Sequence, residues 1–69
     1  MVIATEILIE DMHGEQMFEV GIVDYSKVTS AIPYILNKSY TALALGGDNI
    51  VINKTLSQVA TILGHFKTT

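Results

Sequence analysis

The chain has 69 residues, 49% of them hydrophobic, a mean hydropathy of +0.42 and a net charge of −3. It contains no cysteine and no arginine, which excludes disulfides, thiolate nucleophiles and zinc–thiolate sites, and removes the residue that usually makes bidentate base contacts. Such a length supports one domain, residues 1–69, with a core near the lower limit of self-sufficiency; this much apolar surface is expected to face a partner in part.

Charge is divided along the chain. Residues 1–24 hold Glu6, Glu10, Asp11, Glu15, Glu19 and Asp24 and no Lys or Arg, whereas the remainder holds Lys27, Lys38, Lys54 and Lys67 against Asp48 alone. This asymmetry suits head-to-tail assembly or attraction of a basic partner to the front half; a solvated acidic hairpin is the plainer reading. The opening residues carry no signal-peptide pattern, and no apolar run approaches the ~20 residues of a membrane span. A cytoplasmic location without membrane attachment is the resulting expectation.

Residues 2–9 alternate, with Ile3, Thr5, Ile7 and Ile9 on one side. Residues 10–16 break the run, with Gly14 as the turn residue, and Met17 to Val23 resumes it. A hairpin follows, its inner face expected to gather Ile3, Ile7, Ile9, Phe18, Val20 and Ile22. Residues 24–38 are ambiguous. Val28, Ile32 and Ile35 sit at helical spacing and Asp24, Ser26 or Ser30 suits a cap, yet Pro33 opposes a continuous helix. A short or broken helix over residues 25–37 is expected, the alternative being extended structure with Ile32, Tyr34 and Leu36 alternating.

The stretch from Tyr40 to Leu63 carries the clearest signals. Two apolar runs flank Gly46-Gly47-Asp48-Asn49, residues tolerant of positive φ, and so predict a second hairpin. Both arms are apolar on both faces, as in strands covered on two sides. Thr55 and Gln58 form a capping box, and Leu56, Val59, Ala60, Ile62, Leu63 and Phe66 then recur at helical spacing. The chain thus reads ββα followed by ββα. Ser26-Lys27-Val28 and Ser57-Gln58-Val59 hint at duplication. The fold class expected is α+β: two hairpins forming a mainly antiparallel sheet with one or two helices on one face.

The densest polar cluster is Glu10, Asp11, His13 and Glu15. A histidine among carboxylates suits a divalent metal or acid–base work, but this spacing matches no known motif and a loop tip does not tune pKa values. His65 has no companion. Gly46-Gly47 precedes a strand rather than a helix, so phosphate-cradling geometry is missing. Asn37-Lys38-Ser39 and Asn53-Lys54-Thr55 match the glycosylation pattern by coincidence.

The run from Ile32 to Thr69 resembles the middle of a LytTR-type DNA-binding domain through Tyr40-Thr41, Lys54-Thr55-Leu56 and His65-Phe66. The resemblance implies the order strand, turn, strand, helix. It transfers no function, because that family continues into a basic DNA-contacting segment and this chain has no arginine.

The sequence therefore predicts a small non-enzymatic interaction protein, a regulator or inhibitor of the kind viruses and mobile elements encode. It would act as a homo-oligomer, bind a basic protein surface or sequester a small ligand, and need no cofactor or metal. The expected partner contact is Glu6, Glu10, Asp11, His13, Glu15 and Glu19. The expected self-association surface is Leu56, Val59, Ile62, Leu63 and Phe66. The alternative is a nucleic-acid-binding regulatory module.

Overall fold

A computed structural model describes residues 2–64. Five strands form one antiparallel sheet: β1 (Val2–Glu10), β2 (Gln16–Asp24), β3 (Val28–Pro33), β4 (Thr41–Leu45) and β5 (Asp48–Ile52). A single 3-10 turn, Tyr25–Lys27, joins β2 to β3, and one helix, α1 (Leu56–Gly64), closes the described chain. The sheet order is β2-β1-β5-β4-β3. The α+β expectation holds at that level, whereas the ββα repeat does not.

Tight turns set the two local hairpins. Asp11 Oδ1 accepts the N–H groups of His13 and Glu15 at 2.8 and 2.9 Å, and Gly14 takes φ +82°. That loop pairs Glu10 with Gln16 and so Leu8 with Phe18, Glu6 with Val20 and Ala4 with Ile22. Opposed residues of an antiparallel pair share a face. Phe18, Val20 and Ile22 therefore lie on the side opposite Ile3, Ile7 and Ile9, which corrects the expected common inner face. Between β4 and β5 the connection is two residues: Leu45 pairs with Asp48 and only Gly46 and Gly47 take positive φ, +54° and +104°. Both central positions being left-handed is what a two-residue hairpin matched to strand twist needs, and glycine supplies it without strain.

The expected helix over residues 25–37 is replaced by the 3-10 turn, β3 and a loop. Asp24 caps the turn by accepting Ser26 N–H at 3.1 Å. Val28, Thr29 and Ile32 are β-branched and suit a pleated surface, and Ala31, Ile32 and Pro33 pair with Leu43, Ala42 and Thr41. The two Ser-x-Val segments consequently differ in structure, one spanning the 3-10 turn and β3, the other lying in α1. The loop after β3 closes with Tyr34 N–H donating to Tyr40 O at 2.9 Å and Ser39 N–H to Asn37 Oδ1 at 2.9 Å.

The capping box forms as predicted: Gln58 N–H donates to Thr55 Oγ1 at 3.2 Å, and Thr55 N–H to Gln58 Oε1 at 2.9 Å. Helix α1 then packs against β3 and the 3-10 turn. The core, Val23, Tyr25, Leu43, Ile52 and Val59, lies entirely between the sheet's helix side and these two elements. Two threonines are buried with it. Thr41 donates to Lys54 O at 2.8 Å, and Thr5 meets Tyr25 Oη at 2.9 Å. Among the described residues no helix is long and apolar enough to cross a membrane.

Candidate functional site

One helix of nine residues covers one face of the sheet, so among the described residues the other face stays open. Registers assign to this open face Val2, Ala4, Glu6, Leu8 and Glu10 of β1, and Gln16, Phe18, Val20, Ile22 and Asp24 of β2. Val51, Ala42, Ala44 and Ile32 continue it across β5, β4 and β3. Val20 is 68% exposed, Ile22 76% and Ile32 60%. The expectation that β4 and β5 are covered on both sides is thereby corrected: their small Ala42 and Ala44 side chains merely leave little to cover.

An aromatic pair anchors the middle of this face. Phe18 on β2 and Tyr40, just before β4, meet edge-on with ring centroids 4.9 Å apart and an interplanar angle of 78°. The contact reaches over β1 and β5, so it holds the acidic hairpin to the rest of the sheet from the open side; such pairs add about 0.5–1.5 kcal/mol beyond area burial. Beneath it the backbone seam is narrow. β1 meets β5 at one ladder pair, Ile7 with Ile52. Asn53 extends the seam, its N–H donating to Glu6 O at 2.9 Å and its Nδ2 to Glu6 Oε1 at 3.1 Å.

The six residues expected at a partner contact do not form one patch. Glu10, Asp11, His13 and Glu15 meet at the hairpin tip, where Asp11 is committed to the loop and the other three are exposed. Glu6 ties β1 to the end of β5. Glu19 pairs with Ile7 and so faces the helix side. Among the described residues no group of three or more His, Cys, Asp or Glu is placed to hold a metal ion.

The expected self-association stripe is partly engaged by the chain's own core: Val59 is fully buried, and Ile62 and Leu63, partly buried, pack against the core cluster. Leu56 stays partly exposed, and Phe66 lies outside the described residues, as does His65. A cavity of about 310 Å³ lies between β3 and α1, lined by Val28, Ala31, Leu56, Val59, Ala60 and Leu63 together with Thr29 and Ser30. Thr29 Oγ1 donates to Ala44 O at 3.2 Å, so that hydroxyl is engaged.

Sequence reasoning missed the open face because it needed the register. The usable signal was the loop length of the first hairpin, which sets odd residues opposite odd ones.

One titration is legible in this region. Asp24, at the end of β2, accepts the Ser26 hydroxyl at 2.6 Å; that bond, with the Ser26 N–H and the charge of Lys27, holds its carboxyl below the usual carboxylate range. A carboxylate with a lowered folded-state pKa contributes stability above its unfolded pKa and loses it as pH falls through the folded value. A carbon-detected NMR titration is expected to place the Asp24 midpoint below the usual carboxylate range, and Ser26→Ala to move it upward.

No known protein family, no characterised protein and no solved structure matches this chain.

Proposed function

We propose that the protein is a non-enzymatic interaction module, a regulator or inhibitor that acts as a homo-oligomer and binds another protein through the open face of its sheet. The observation that carries this reading is the one-sided covering of the sheet. Phe18, Tyr40, Val20, Ile22 and Ile32 lie together on the face that α1 does not cover. A contiguous apolar face of this sort on a small domain marks an interaction surface. On the hairpin side it carries Glu6 within it and Glu10 and Asp24 at the strand ends, so the partner it fits presents apolar side chains accompanied by lysine or arginine. Complementary charge of that kind sets orientation and association rate, while the aromatic and branched residues supply affinity.

The test is an amide NMR titration of the isotope-labelled protein with two amphipathic peptides of equal apolar content, one basic and one acidic. The basic peptide is expected to shift Phe18, Val20, Ile22 and Glu6, with weaker binding as added salt screens the charges. Duplex DNA in the same experiment is expected to leave the spectrum unchanged. Shifts confined to α1, or equal shifts with both peptides, would remove the open face as the binding surface. Salt-sensitive binding of DNA would favour a nucleic-acid module instead.

A further inference from the structure

The two edges of the sheet are treated differently by the sequence. At β3 the edge is blunted. Tyr34 N–H donates to Tyr40 O, so bonded pairs alternate from there, and Pro33 opposite Thr41 falls on a non-bonded position. The amide that proline lacks is thus one that would point outward. A register irregularity between Val28 and Ser30 further disrupts this edge. Proline and bulges are the usual protections of an exposed strand.

β2 has neither. It runs for nine residues, Gln16–Asp24, paired with β1 throughout and without proline or lysine. Its phase follows from the turn. Asp11 N–H donates to Glu15 O, so the odd residues of β2 bond to β1. Asn53 N–H bonding to Glu6 O agrees, because Glu6 must then face β5 rather than β2. The N–H and C=O groups of Gln16, Phe18, Val20 and Ile22 therefore point outward along this edge.

We propose that β2 pairs with β2 of a second copy of this chain, antiparallel about a two-fold axis at Val20, giving a continuous ten-stranded sheet. This deepens the interaction-module reading by naming its self-association surface, and it rests on that reading. The register is selected by three features. Centring on Val20 sets Phe18 opposite Ile22 of the other copy on each side of the axis. It sets Glu19 opposite Gly21, whereas centring one residue earlier would set Glu19 against Glu19, a destabilising like-charge pair. Centring one residue later leaves Gln16 and Met17 unpaired. The blunted β3 edge opposes head-to-tail addition, so growth stops at the closed two-fold dimer. Edge pairing also leaves the open face free and doubles its length.

The chain has no native cysteine, so engineered thiols report the register directly. A bonded antiparallel pair sets Cα atoms ~5.5 Å apart, within disulfide reach, and residues four positions out of register are ~13 Å apart, beyond it. Under mild oxidation Val20→Cys is expected to cross-link to itself. Phe18→Cys alone and Ile22→Cys alone are expected not to, while an equimolar mixture of these two forms the mixed dimer.

In the unmodified protein, at a concentration ~100 times the dimer Kd, amide exchange at Phe18, Val20 and Ile22 is expected to slow about tenfold by mass action. Val20→Lys, at an exposed position, is expected to give a folded monomer by sedimentation. Added salt is expected to strengthen the dimer, because two acidic hairpins meet, and to weaken basic-peptide binding. A dimer whose Phe18, Val20 and Ile22 amides exchange freely would overturn the edge assignment but leave self-association standing. A monomer at every concentration would overturn both, and neither result would alter the outcome of the peptide titration.

Discussion

Tyr25→Ala is expected to leave the protein largely unfolded at room temperature. Tyr25 is 1% exposed and sits in the 3-10 turn, where its ring fills the core between β1, β2 and α1. Truncating a buried aromatic to alanine costs about 3–5 kcal/mol, through lost transfer energy and the cavity left behind. A single core in a chain of 69 residues rarely supplies more than about 3–5 kcal/mol of net stability. Tyr25→Phe separates ring from hydroxyl. Thr5 Oγ1 donates to Ile3 O at 3.2 Å, so in the 2.9 Å contact the tyrosine hydroxyl is the donor. Removing it leaves Thr5 with its own bond intact, and the expected loss is about 1 kcal/mol. Urea denaturation followed by circular dichroism checks both values; a Tyr25→Ala protein as stable as the parent would show that the turn is not part of the core.

Ile52→Ala is the second large effect, expected at about 2–5 kcal/mol. Ile52 is fully buried and stands in register with Ile7 on one side and Thr41 on the other. It therefore joins the acidic hairpin to the remainder of the sheet at their one ladder pair. Ile52→Val, which removes a single methylene, is expected to cost about 0.5–1.5 kcal/mol. The comparison that gives these numbers meaning is Ile32→Ala, the same residue type on the open face at 60% exposure, where the expected change is within about 0.5 kcal/mol. Equal losses at positions 52 and 32 would mean that both faces are covered.

The contrast between those isoleucines also marks where the sequence is readable. Features made by neighbouring residues were legible: the Gly46-Gly47 turn, the Thr55–Gln58 capping box and the turn at Gly14 each follow from local backbone and side-chain chemistry. Residues 25–37 were not. Val28, Ile32 and Ile35 fit helical spacing as well as their β-branched side chains fit a strand, and the decision belongs to pairing with β4, which is a tertiary matter. The facing of the first hairpin failed for a related reason. A slip of one residue exchanges the two faces of a strand, and only the pairing of Glu10 with Gln16 fixes it. The candidate surface depends on that register, so the acidic and apolar residues were all visible while their arrangement was not.

The narrow seam between Ile7 and Ile52 has a consequence for the order in which structure is gained. β1 with β2, and β3 with β4 and β5, are each joined by short loops and close with little loss of chain entropy. Bringing position 7 to position 52 encloses everything between them, at a closure cost on the order of 3 kcal/mol from the logarithmic dependence on loop length. That cost is offset by a single ladder pair, the Asn53–Glu6 bonds, the Phe18–Tyr40 contact and the burial of Val23 and Tyr25 against Leu43, Ile52 and Val59. The union of these two locally assembled units is thus the long-range, entropically expensive part of the fold.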